Sequence, residues 1–259
     1  PGISSAASDV YKRQYYLIRN IIIKIMTNRH IIAIGGGGFG REIKDLKIER
    51  YIVSQAKKEN PSICFIPTAT GDDLNYIENF YKAFNSLNCK TSHIDFFKRT
   101  IDLKKHILKQ DIVFVGGGNT KSMLAVWREW GLDNILYNAY LNGTIMSGVS
   151  AGAICWFDKG ITDSWKEHQA ILKCLKFVKG VCCPHYDEEP ERIPFVSEIL
   201  KSNKIDECIA IEGFCALHLI NDSPKKIVSF GNDSNCYNVK YIEKKIVHNQ
   251  MENINKITL

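Results

Sequence analysis

The segment TIMSGVSAGAICW, residues 144–156, reads as a strand that stops at glycine and turns at once into a helix. Residues 144–146 are a short run suited to burial, Ser147-Gly148 breaks it, and Ala153-Ile154-Cys155-Trp156 opens an apolar helical stretch. Between them stands Gly148-Val149-Ser150-Ala151-Gly152, a G-x-S-x-G. In this context the serine sits on a sharp, strained turn that only small flanking residues permit, and its hydroxyl projects above the sheet edge. The helix behind it directs N–H groups and the positive end of its dipole toward a developing oxyanion. Ser150 is therefore a candidate nucleophile; the plainer alternative is a glycine turn whose serine caps the helix.

The same grammar extends to both sides. Residues 30–34, 62–66, 111–115 and 177–183 are apolar runs closed by Gly or Pro, and segments of helical period lie between them, notably 72–87 and 121–130. Strands buried on both faces and separated by helices predict a three-layer α/β/α architecture around a mainly parallel sheet. From about residue 207 the pattern changes to strands without helices, at 208–211, 214–220, 227–230 and 236–242, which extend the sheet antiparallel or form a hairpin edge. No Pro- or Ser-rich linker divides the chain, so 26–259 reads as one domain. In such a sheet, ligands bind beyond the carboxyl ends of the strands.

Composition narrows the class. Of 259 residues, 45% are hydrophobic and 24% charged, with 18 Gly and 7 Pro, which excludes collagen-like and disordered chains. Residues 1–14, PGISSAASDVYKRQ, have no helix or strand period and resemble a translated upstream tail, with Met26 the expected start. Residues 1–25 carry Lys12, Arg13, Arg19 and Lys24 against Asp9, so half of the formal +6 belongs to them. The remainder, unclustered, gives no reason to expect nucleic acid as a partner. No long apolar run predicts a membrane span. Nine cysteines without a C-x-x-C pair, mostly inside apolar runs, fit buried reduced thiols of a cytoplasmic protein. No H-E-x-x-H or ligand cluster calls for a metal or other cofactor.

A serine hydroxyl needs a base to take its proton. His185 follows Val181-Cys182-Cys183-Pro184 at a strand end and is preferred over His168, expected in a helix or loop, His218, inside an apolar run, and His248, in the polar tail. An acid must hold the imidazole. Glu212 stands where the strand Ile209-Ala210-Ile211 meets Gly213, with Asp163 and Asp187 as rivals. Gly116-Gly117-Gly118-Asn119-Thr120 follows another strand, and the N–H groups of Gly118 and Ala151 would form a two-donor oxyanion hole. Gly35-Gly36-Gly37-Gly38-Phe39-Gly40 contains G-x-G-x-x-G, but Pro67-Thr68-Ala69-Thr70 stands where a dinucleotide site wants an acid after the next strand. A tight turn allowing close backbone approach is the favoured reading of that run.

With GGGNT at 116–120, GVSAGA at 148–153, PHY at 184–186 and IEG at 211–213 in this order, the chain resembles the peptidase E family, the alpha-aspartyl dipeptidases, over nearly all of residues 28–231. The resemblance implies the class I glutamine amidotransferase-like (flavodoxin-like) fold and a serine exopeptidase acting on short peptides, with Ser150, His185 and Glu212 as triad. It places Asn119 and Asp163 at the substrate, and Arg192, whose fork can bind two oxygens, is the candidate partner of an N-terminal aspartyl carboxylate. Lys121 stands where better-known members carry an aromatic residue, and the stretch after His185 is acidic where an aspartyl pocket should be basic. A cyanophycinase-like hydrolase and a catalytically silent binding protein of the same fold are the alternatives.

Overall fold

The computed structural model describes residues 28–41, 45–231, 233–251 and 254–259. The upstream tail expected over 1–25 lies outside them. His30–Ile34 (β1) shows why the chain layers as it does: Ile31 and Ala33 enter one core while Ile32 and Ile34 enter another, so the strand is buried on both faces. Ser62–Ile66 (β2), Lys90–His93 (β3), Ile112–Val115 (β4) and Ile145–Val149 (β5) lie parallel to it in the order β1-β5-β4-β2-β3. Cys215–Ile220 (β10) pairs antiparallel with β1, and Ser223–Ser229 (β11) and Asn255–Thr258 (β14) complete this eight-stranded sheet.

Helices cover both faces. Lys47–Gln55 (α1) and Leu74–Asn85 (α2) close one core, α2 beginning where the Asp73 carboxylate accepts the Tyr76 N–H at 2.8 Å. Ile77, Phe80, Ala83 and Phe84 line its inner side, and Phe80 stacks on Phe65 of β2 with ring centroids 4.9 Å apart. Each fully buried ring contributes roughly 1.5–3 kcal/mol. Leu103–Ile107 (α3), Thr120–Glu129 (α4), Leu132–Leu141 (α5) and the one-turn Ala151–Ile154 (α6) pack on the opposite face.

A second sheet departs from the single one anticipated. Its order is β13-β12-β9-β8-β6-β7, built from Phe157–Trp165 (β6), His168–Lys173 (β7), Val178–Cys183 (β8), Glu207–Ile211 (β9), Cys236–Ile242 (β12) and Lys245–Gln250 (β13). The helix expected to run on from Ala153 ends at Ile154, and residues 157–173 form a β-hairpin in which His168 sits on a strand. Cys182 and Cys183 point to opposite faces of β8: Cys182 joins the core against the large sheet, while Cys183 packs toward Arg192–Lys201 (α7). All nine cysteines are buried, and burial pushes the thiols of Cys64, Cys174 and Cys183 up to about 12. No helix among the described residues is long and apolar enough to cross a membrane. The loops after β1, β4, β5, β8 and β9 carry Arg41, Gly117, Ser150, His185 and Glu212.

Candidate active site

The end of β1 stitches the site together. Its Ile34 carbonyl accepts the Ser150 N–H at 3.0 Å, and the next carbonyl, Gly35, accepts the His185 N–H at 3.3 Å. Two residues from separate strand ends thus hang on successive carbonyls of one strand. Ser150 has φ 57° and ψ −112°, left-handed backbone that a side chain adopts only under tertiary constraint, and its hydroxyl does not cap α6. The elbow tolerates this because nothing larger than glycine fits beside it: a Cβ on Gly152 would lie 2.2 Å from the Val115 carbonyl oxygen.

Ser150 and His185 border one cavity of about 400 Å³, together with Arg41, Tyr76 and Gly117. There is no direct Ser150–His185 hydrogen bond among the described residues, a separation common in substrate-free sites. Gly117 lies against the serine, its Cβ position only 3.3 Å from Ser150 Cβ. Its N–H donates to the hydroxyl of the partly buried Tyr76 at 3.4 Å, and loss of solvent around that phenol pushes its pKa up to about 12. Gly118 follows at φ +131° and is itself outside the cavity lining. Among the described residues neither the Gly118 nor the Ala151 N–H has a hydrogen-bond partner.

His185 is the only one of the rival histidines in this cavity. His218 is buried between Tyr51 Oη at 2.7 Å and His30 Nδ1 at 2.9 Å, and burial drops its pKa to about 3. His248 meets Tyr186 Oη at 2.8 Å, and the His168 ring stacks on Trp165.

Four expected site residues are placed otherwise. Glu212 does not reach the imidazole. Just past the last β9–β12 pair, Ile211 with Cys236, stands Asn235, whose N–H donates to Glu212 Oε2 at 2.6 Å while the Glu212 N–H donates to the Asn235 carbonyl. Burial, with Asp187 second among the charges and bonds that raise it, lifts the Glu212 carboxyl above its usual range. Arg192 is 1% exposed: its Nε and Nη2 reach Glu189 Oε2 at 2.7 Å, and its Nη1 donates to Gln169 Oε1 and the Ile161 carbonyl. It ties α7 to the β6–β7 hairpin and is not presented to a substrate; Asp163, 3.5 Å from it, faces solvent. Asn119 caps α4 through Ser122 N–H and donates its amide to the Ser164 carbonyl, so both ends of its side chain are occupied. Lys121 lies over the Trp165 ring at 4.4 Å. Asp187 accepts the Gly213 N–H at 2.7 Å.

The imidazole finds a different carboxylate. His185 Nδ1 lies 2.7 Å from Glu188 Oε2, and Arg41 grips the same carboxylate with Nη1 at 2.5 Å and Nη2 at 3.0 Å. His185 itself, at φ 50°, opens a turn in which Glu188 N–H returns to the His185 carbonyl at 3.2 Å. The hydrogen bond to His185, then Arg41, holds the Glu188 carboxyl down to about 2 against the opposing effect of burial. Its contribution to stability is therefore present above the ordinary carboxyl range near 4.5 and is lost as pH falls toward 2. The glycine run explains itself here: a Cβ on Gly36 would come 2.5 Å from Glu188 Oε2 and 2.9 Å from His185 Nδ1. The missing side chain is what lets this ion pair lie on the backbone. Among the described residues no group of His, Cys, Asp and Glu is arranged to hold a metal.

Residues 31–227 match the model of peptidase family S51. The chain is 44% identical over 219 residues to YgaJ, an uncharacterized peptidase of Bacillus subtilis (strain 168), covering 84% of this chain and 95% of that one. Among solved structures, a peptidase from an acI-B1 Actinobacterium superposes with TM-score 0.63 at 16% identity, covering 86% of this chain and 95% of that one. A Listeria monocytogenes EGD-e crystal structure assigned as peptidase E gives TM-score 0.57 at 17% identity, covering 87% of this chain and 100% of that one. These two likenesses support the fold expected from the sequence.

Proposed function

The chain belongs to peptidase family S51, and from that premise we propose that it is a serine exopeptidase cleaving short peptides through an acyl-enzyme on Ser150. The observation that carries this reading is the strained Ser150 bordering one cavity with His185. His185 Nε2 takes the Ser150 proton as Oγ bonds to the scissile carbonyl carbon; the C–N bond then breaks and the imidazolium returns that proton to the leaving amine. The same imidazole next takes a proton from a water whose oxygen bonds to the ester carbon, and it returns that proton to Ser150 Oγ as the C–O bond breaks and the acid is released. The Gly118 and Ala151 N–H groups are the proposed oxyanion donors, each worth roughly 100- to 1,000-fold.

Preference for an N-terminal aspartyl residue rests on the resemblance alone, because Arg192 is buried and engaged. Among the described residues, the Lys or Arg that borders the cavity is Arg41. Incubating the protein with Asp-X, Ala-X and Leu-X dipeptides and following release of free amino acids tests both levels: cleavage of any dipeptide supports the exopeptidase, cleavage of Asp-X alone supports the narrower specificity, and inertness toward all peptides overturns the proposal.

Gly36→Ala probes the site without touching a reacting atom. The added methyl must displace the Glu188 carboxylate or the His185 ring, and a shift of about 1 Å in a catalytic group can cost on the order of 100-fold. A loss of that size in kcat, with unchanged circular dichroism, is expected; wild-type turnover would show that the ring position is not critical.

A further inference from the structure

We propose that Arg41 is a specificity-determining residue that binds the free C-terminal carboxylate of the leaving amino acid, an inference that rests on the hydrolysis proposed above. The loop after β1 carries it to the cavity that Ser150 and His185 share, and among the described residues no other Lys or Arg lines that cavity. The guanidinium is already fixed in place. Nη1 and Nη2 donate to the two oxygens of Glu188 at 2.5 and 3.0 Å. These bonds use two of the five N–H donors of the group and leave three for a ligand. The Arg41 side chain is 47% exposed and that of Glu188 22%, so the cation is the more accessible member of the pair. Glu188 thus holds the fork still without covering it, which lowers the entropy lost when a second carboxylate docks.

Position decides which substrate carboxylate this is. The imidazole that takes the serine proton must deliver it to the leaving nitrogen, so the leaving residue lies against His185. Arg41 is the cation beside that ring, with Nη2 3.3 Å from His185 Nδ1. In a dipeptide the C-terminal carboxylate carbon is two bonds from the leaving nitrogen, on the same side of the scissile bond as the imidazole. The side chain of the acylating residue is on the other side. A carboxylate held by Arg41 also lies near the imidazolium formed during acylation, and its charge favours that form. Because Glu188 offsets part of the Arg41 charge, the fit of the planar fork to two oxygens contributes more than net attraction. A C-terminal amide keeps one neutral acceptor and loses the rest. The one carboxylate in the cavity lining, Asp73, is occupied in capping α2.

The test uses Ala-Ala, Asp-Ala and the C-terminal amide of each. Calorimetry on Ser150→Ala, which leaves the peptide intact, gives affinities with and without Arg41→Met or Arg41→Lys, and kcat/KM is measured on the same four peptides with Ser150 present. The free acids are expected to bind and react about 10- to 100-fold better than the amides, the range of a charge-assisted hydrogen-bonded pair. Arg41→Met should bring that ratio close to one, and Arg41→Lys should keep part of it. The ratio cancels any general damage from losing the Glu188 contact. Acid and amide that fall together in Arg41→Met, with the ratio preserved, overturn the proposal. So does an Arg41→Met loss that follows the aspartyl side chain, present in Asp-Ala and missing in Ala-Ala. Should Arg41→Met not fold, the protein with Arg41 intact decides, since equal treatment of acids and amides also overturns the proposal. Failure of the peptidase reading looks different: the wild type would cleave none of the four, while Ser150→Ala would still bind acids better than amides. Absence of both cleavage and binding overturns both.

Discussion

Ser150→Ala is expected to lower kcat/KM for the best peptide by on the order of 1,000-fold or more, while the thermal unfolding midpoint stays close to wild type. The first half follows from chemistry: without Oγ there is nothing to acylate, and the remaining turnover comes only from binding and from the amide donors around the elbow. The second half follows from the backbone. The residue occupies φ 57° and ψ −112°, and its hydroxyl caps no helix. Alanine carries the same Cβ, so it meets the same backbone constraint and forfeits no capping bond. Activity measured on purified variant, with the midpoint by circular dichroism, separates the two effects. Wild-type turnover in this variant would remove Ser150 from the mechanism, and a collapse of the midpoint would make the elbow a stability element first.

The sequence carried the elbow, the parallel strands and the position of His185 because each depends on local grammar: an apolar run, a breaker, and a reactive side chain immediately after. It did not carry what depends on side-chain direction. Glu212 does stand just past a strand end, but residue type there does not say which way a carboxylate turns, and Asn235, immediately before the antiparallel partner β12, supplied an N–H that captured it. Glu188 lay inside the acidic stretch after His185 that counted against an aspartyl pocket; its signal was its i+3 spacing from the histidine, which a tight turn converts into contact. Arg41 follows the glycine run directly and meets Glu188 only because residues 147 positions apart converge. Tyr76 was read only as part of a helix segment, and its hydroxyl under Gly117 had no signature in spacing. The second sheet was equally hidden. A buried strand such as β8 has the same composition whichever sheet it joins, and the polar, charged residues 157–173 resemble a loop until β6 and β7 pair.

His185→Gln should bring a loss comparable to that of Ser150→Ala, and the double variant should be no worse than either single one. Nucleophile and base act as a unit: once the proton acceptor is gone the hydroxyl is as unreactive as if it were absent, so the two losses do not add. Folding should survive, because the groups around the ring keep other partners. Glu188 retains both Arg41 bonds, and the backbone N–H at 185 retains the Gly35 carbonyl. A glutamine amide at this position can still donate toward Glu188 but offers no basic nitrogen near neutrality. Kinetics of the two single variants and the double variant, on one peptide at one pH, close the cycle. Losses that multiplied in the double variant would mean that serine and histidine act in separate steps, and full activity in His185→Gln would return the role of base to another group.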